Sequence, residues 1–119
     1  MIDPIGLLPF VPGGREFERS RDFFRAIGFE ELWESDGLVG FCCGAAKFIL
    51  QDMDAPEFAS NLQIKIELLD LDTWWDEIAS GTLLSDFPGA KFKPPTDYPW
   101  GREVHFIDLA GVCWHVGLP

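Results

Sequence analysis

Two histidines, a glutamate and a cysteine that could do chemistry share one stretch, Tyr98 to His115: YPWGREVHFIDLAGVCWH. It holds both histidines of the chain, two of its five tryptophans and one of its three cysteines. Read as extended chain, alternation puts Glu103 and His105 on one face of a strand, and Cys113 and His115 on one face of the next. Such residues suit a metal centre or a nucleophile with its base. Zinc needs a convergent set of imidazoles, thiolates or acids, and hard cations need several carboxylates. Cys113 and His115, at i and i+2 on a strand, lie side by side, which does not aim one group at the other. Pro12-Gly13-Gly14-Arg15 precedes a helix but lacks the glycine pattern that cradles a phosphate. The stretch therefore reads first as pocket wall and core.

Binding is better supplied than catalysis. Trp33, Phe41, Phe58 and Trp100 fall outside the helical stripes of the chain. Pro99 and Gly101 hold Trp100 in a loop, where a large ring is a stacking platform for a planar, cationic ligand. A cation over an indole is worth about 0.5–2 kcal/mol per contact. Arg102 and Glu103 follow directly and would shape the mouth of such a pocket.

The elements that must position these residues can be read from periodicity. Residues 5–11 (IGLLPFV) form an apolar run with Pro9 inside, which predicts an edge or irregular strand before the Pro12-Gly13-Gly14 turn. Phe17, Ser20, Arg21, Phe24 and Ile27, with Phe23 beside them, make one helical stripe that Gly28 stops. Three strands follow at 29–35, 38–43 and 47–51, broken by Asp36-Gly37 and Gly44-Ala45, both hairpin signals. After a loop, DMDAPEFAS, the cycle repeats. QIKIELL (63–69) reads as a strand and LDTWWDEIASG (71–81) as a helix, with Leu71, Trp74, Trp75 and Ile78 on its apolar side. AKFK (90–93), REVHFI (102–107) and VCWHVG (112–117) predict three more strands. Strand, helix and three strands thus occur twice, and each sheet needs one face covered, so the halves can curl around a shared concavity.

Charge and cysteine usage narrow the function classes. In 119 residues, twenty acids against nine bases give a net charge of −11 and a pI near 4.3. That excludes nucleic acid and anionic membranes as natural partners. From Ala26 to Ala90 there are thirteen acids and two bases, Lys47 and Lys65, whereas seven acids face seven bases elsewhere. An excess so placed can act as a solvated face or as a field that gathers a cationic ligand. No apolar run reaches the length of a membrane span, and the N-terminus lacks the basic start of a secretory signal. Three cysteines, two of them adjacent, make no disulfide framework and fit buried thiols in a reducing cytoplasm.

The doubled βαβββ order, FERSRDFFRAIGFE in the first helix and DLAGVCWHVG at the end resemble the glyoxalase, bleomycin-resistance and extradiol-dioxygenase superfamily, the vicinal oxygen chelate fold. Within it, PWGREVHFIDLAGVCWH is similar to the bleomycin-resistance proteins. The resemblance implies an α+β fold in which two βαβββ modules (about 1–58 and 59–119) form a curved mixed sheet within a single domain, 1–119. It implies a small, acidic, cytoplasmic homodimer that sequesters a cationic glycopeptide antibiotic such as bleomycin in clefts at the subunit interface. No reaction is catalysed on this reading, and no cofactor is implied. Trp33, Leu38, Gln51 and Trp100 fall on cleft-lining positions, and Lys65, Arg102, Glu103 and His115 complete the expected ligand-binding set. Leu38 is aliphatic where the family has an aromatic. Lys65 would repel a cationic drug unless Glu67 or another acid neutralises it.

Metal enzymes of the superfamily draw ligands from positions occupied here by Phe10, Gln63 and His115. Phe10 cannot ligate, so the expectation is no native metal, with Gln63, His105 and His115, aided by Glu103, as the alternative set. The other classes left open are a metal-dependent lyase, isomerase or dioxygenase of the same fold, and a binder of some other small metabolite.

Overall fold

A computed structural model describes all 119 residues. In chain order the elements are β1 (Phe10–Pro12), α1 (Phe17–Ile27), β2 (Glu30–Ser35), β3 (Leu38–Cys43), β4 (Ala46–Gln51), α2 (Pro56–Ala59), β5 (Gln63–Glu67), α3 (Leu71–Ser80), α4 (Leu83–Asp86), β6 (Lys91–Tyr98), β7 (Gly101–Ile107) and β8 (Cys113–Gly117). They form two four-stranded sheets of identical plan, β1-β4-β3-β2 and β5-β8-β7-β6. In each, the first strand pairs parallel to the last and the remaining pairs are antiparallel. The α+β fold of two similar βαβββ modules is therefore the observed architecture.

Local chemistry accounts for most boundaries. Gly28 ends α1 in the left-handed region at φ 118° and gives its N–H to the carbonyls of Phe24 and Arg25. Asp36 and Gly37 both have positive φ, 46° and 76°, as the two-residue hairpin between β2 and β3 requires. Asp70 caps α3 by accepting from the Thr73 N–H at 3.1 Å. The aromatic stripe of α1 then joins the two modules. Phe24 packs on Phe48 of the first sheet (centroids 4.9 Å apart) and on Trp114 of the second (5.4 Å), while Phe23 reaches Phe106 at 6.0 Å. One cluster of 19 buried residues fills the space between.

Four segments differ from the sequence expectation. The run 5–11 pairs only over Phe10–Pro12, and Ile5 and Leu7 stand fully in solvent. Pro9 has no N–H to extend the ladder and contributes only its carbonyl, which accepts from Ile49 N at 2.9 Å. The strand expected at 90–93 runs on through Pro94 and Pro95 to Tyr98. It is the sheet's outer strand, and its register with β7 slips between Lys93 and Thr96, where missing donors cost no pairing. The loop DMDAPEFAS contains the single turn α2, with Pro56 at its start, and the unassigned 82–89 contains α4.

An ion-pair cluster fastens α1 to β2 and gives the fold a specific acid sensitivity. Arg21 is bonded to Glu31 and, at 2.6 Å, to Glu34, and Arg25 reaches Glu31 at 2.7 Å. The Arg21 guanidinium holds the Glu31 carboxyl at about 2, well below its ordinary value, against the opposing effect of burial and with help from Arg25. A carboxyl whose folded pKa is depressed stabilises the fold above its unfolded pKa and loses that contribution as pH falls toward the folded one. Stability should therefore drop between about pH 4.5 and pH 2, by roughly 2 kcal/mol once solvent screening is allowed for. Urea midpoints taken down this range should show the slope in the native chain and a shallower one in Arg21→Met. Equal slopes would mean the cluster does not set the acid limit.

Candidate functional site

Strand alternation sends one face of the second sheet into the core and leaves the other open. Val104, Phe106, Trp114 and Val116 are buried, whereas Glu103, His105, Cys113 and His115 lie on the opposite face. The register of β7 with β8 sets His105 directly beside His115, and the register of β5 with β8 sets Lys65 on the other side of His115. Glu103 pairs with Gly117, and a Cβ at 117 would come within 2.9 Å of the Glu103 Cγ. The glycine lets the glutamate lie flat along the sheet, where its side chain is only 4% exposed.

Three N–H groups can converge on a single oxygen of that glutamate. Oε1 of Glu103 lies 2.9 Å from His105 Nε2, 3.1 Å from Trp100 Nε1 and 3.3 Å from His115 Nδ1. Oε2 faces the Lys65 ammonium at 3.5 Å. Burial pushes the Glu103 carboxyl up, but these donors and the lysine outweigh it and bring it to about 2. Each ring is also held at its far nitrogen, His105 Nδ1 by the Tyr98 hydroxyl (3.2 Å) and His115 Nε2 by the Gln63 carbonyl (2.8 Å). Both histidine side chains keep about a fifth of their surface in solvent, at 23% and 22%. Cys113 Sγ stands 3.7 Å from His115 Nε2, and burial pushes its thiol up, which leaves it a poor nucleophile.

Above this cluster stands a ladder of parallel rings. Trp100 stacks on Tyr98 with centroids 4.8 Å apart and planes 7° from parallel, and Tyr98 stacks on His105 at 4.8 Å and 14°. Pro99 and Trp100 are the two residues of the β6–β7 hairpin, closed by Gly101 at φ 144°. The outer face of Trp100 remains free, and the residue is 66% exposed. Its ring is thus oriented from one side by Tyr98, from its edge by Glu103, and open on the other.

The residues singled out in the sequence divide between two surfaces. Trp100, Glu103, His105, His115, Lys65 and Gln63 come together on the second sheet. Trp33, Leu38 and Gln51 lie on the first sheet, where Leu38 pairs with Gln51 and the Trp33 indole fills the space above Gly40, so that a Cβ there would collide with it. No hydrogen bond or ring contact joins the two groups. Arg102 points to the helix side, bonded to Asp72 of α3 and Asp97 of β6 at 3.1 and 3.2 Å. Phe41, offered above as a binding aromatic, is completely buried on the core face of β3, stacked on Phe48 at 5.4 Å. Lys65 is neutralised by Glu103 rather than Glu67. Tyr98 went unnoticed in the sequence, although its place beside Pro-Trp-Gly at a hairpin end was the available signal.

No family model matches the sequence, and no curated protein matches it either. Solved structures do match, over nearly the whole chain. A bleomycin-binding protein from bleomycin-producing Streptomyces verticillus, in complex with copper(II)-bleomycin, is 24% identical, with a TM-score of 0.81 over 100% of this chain and 99% of that one. A bleomycin-binding protein complexed with bleomycin is 19% identical, with a TM-score of 0.78 over 95% and 97%. The fosfomycin resistance protein FosX from Mesorhizobium loti is 20% identical, with a TM-score of 0.68 over 98% and 92%.

Proposed function

We propose that this chain, which has the vicinal oxygen chelate fold of the bleomycin-binding proteins, sequesters a cationic small molecule of the glycopeptide-antibiotic class without transforming it. The observation that carries the reading is the oriented, half-open indole of Trp100 in a chain of net charge −11. Because the Trp100–Tyr98–His105 ladder is already assembled, a planar cation that stacks on it orders little side chain, so most of the contact energy is retained. Glu103 neutralises Lys65, which would otherwise oppose such a ligand.

The cleft belongs to a homodimer on this reading. Each chain offers two half-sites on separate sheets, Trp33–Leu38–Gln51 and the Trp100 ladder, and a second copy can bring one against the other. The amino-terminal arm supports this, since Ile2, Ile5 and Leu7 stand at least 89% exposed in the single chain. No helix is long and apolar enough to cross a membrane. The three free cysteines fit a reducing compartment such as the cytoplasm.

A titration of metal-free bleomycin, followed by tryptophan fluorescence, tests the reading. It should give saturable quenching at one ligand per chain that weakens with added salt, since screening at 0.15 M acts over about 8 Å. Trp100→Ala should bind about tenfold more weakly, the upper half of the range for a lost cation–indole contact. No saturable change in the native chain at either salt would overturn it, and a small metabolite recognised through Lys65 would become the better reading.

A further inference from the structure

We infer that Glu103, His105 and His115 form a binding site for one divalent transition-metal ion on the open face of the second sheet. Its test needs no antibiotic and all three ligands come from one chain, although His105 also underlies the Trp100–Tyr98 ladder. One ligand atom from each residue lies within 4.8 Å of the other two. Around an ion with bonds of about 2 Å, ligand atoms stand roughly 3–4 Å apart, so small side-chain rotations close the set.

The supporting contacts are those that a metal-bound imidazole needs. A ligating histidine is oriented by a partner on its other ring nitrogen. Tyr98 at 3.2 Å does this for His105 Nδ1 and Gln63 at 2.8 Å for His115 Nε2, so Nε2 of the first ring and Nδ1 of the second both face Glu103 Oε1. Lys65 faces Oε2, and Oε1, which also accepts the Trp100 indole N–H at 3.1 Å, is the oxygen turned toward both rings. The cradle above Gly117 keeps the carboxylate between the two rings.

The donor set decides the class of ion. Calcium and magnesium ask for shells of oxygen, whereas two imidazoles and one carboxylate suit zinc, cobalt, nickel or iron(II). Three protein ligands leave a coordination position free, and the part-exposed rings place it on the solvent side, beside the aromatic ladder.

Zinc chloride titrated calorimetrically into the full chain, freed of metal by chelation, should show one ion per chain. Cobalt(II) should give the visible absorption of a low-symmetry site, and the ring-nitrogen NMR signals of both histidines should shift with zinc. His105→Ala and His115→Ala should each weaken zinc binding by at least about tenfold, while Cys113→Ser should change it by less than that. Near-UV circular dichroism checks that each variant is folded, and the NMR shifts of the native chain stand if one is not. Absence of saturable binding up to about 100 μM zinc, or retention of it in either alanine variant, would overturn the site. So would its loss in Cys113→Ser, which would mean a thiolate ligand in place of this set.

Discussion

Asp108→Ala should cost the fold about 4 kcal/mol, the largest single effect expected in this chain. The carboxylate is 3% exposed at the start of the turn from β7 to β8. Its Oδ1 accepts the N–H groups of Ala110, Gly111 and Val112, each at 3.0 Å, and its Oδ2 accepts Trp114 Nε1 at 2.8 Å. Burial pushes this carboxyl upward against those four donors. Alanine would strip the acceptor from the Ala110 and Val112 N–H groups and from the buried indole N–H, the last two inside the core at the full cost of desolvation, while Gly111 keeps the carbonyl of residue 108 at 3.1 Å. Asp108→Asn should cost less but still be severe, because one oxygen becomes an N–H₂ that must face a donor on either side. The discriminating measurement is a double-mutant cycle by urea unfolding. In an Asp108→Asn chain, Trp114→Phe removes the opposed indole N–H, so its cost should fall below that in the native background. Additive losses would mean that the aspartate and the indole are not coupled.

Glu103→Ala should destabilise the fold by about 2–3 kcal/mol and, more usefully, should release Trp100. The carboxylate is the common acceptor for Trp100 and faces both histidines, so its loss leaves a lysine and two rings around an empty cradle. Glu103→Gln keeps the shape and separates the two effects. Its single carbonyl cannot serve every donor, so the cost should be about half as large, with the indole still partly held. Acrylamide quenching reads this directly, since Trp100 is the most exposed of the rings at the site. Quenching should rise in the order native, Gln, Ala. An unchanged quenching constant in the alanine variant would show that Tyr98 alone orients the indole.

Much of the architecture was legible because periodicity and turn chemistry agreed. The stripe from Phe17 to Ile27 closed by Gly28, the strand at 38–43, and the Asp36-Gly37 and Gly44-Ala45 hairpins are all where local rules place them. The failures came where tertiary position overrides local preference. Pro94 and Pro95 would end a central strand, yet β6 is an edge and tolerates them. The apolar residues before Phe10 satisfy a strand pattern but have no partner strand within one chain.

The site was half legible. Alternation alone puts Glu103 and His105 on one face and assigns Arg102 to the other, although adjacency in the chain suggested a joint role. What alternation cannot supply is register. The convergence of Glu103, His105 and His115 depends on His105 pairing with His115 rather than with Cys113 or Gly117, and that pairing is set by the five-residue turn that Asp108 ties. Nor does the sequence show that Gly117 leaves room for a glutamate, since that is a relation between neighbouring strands.

The parallel closure of each sheet bears on how the chain folds. Phe10 pairs with Ile49 and Gln63 with Cys113, so in each module the first strand waits for a partner about forty to fifty residues later. The intervening hairpins are local and can form early. The closing strand must be recruited across a large loop, whose entropy is repaid only when the core assembles. In the first module that strand is three residues long and ends at a proline, so little holds it. Amide exchange at Val11 should therefore be faster than at Val39 or Leu50, despite equal burial, and β1 becomes the seam along which the molecule first opens.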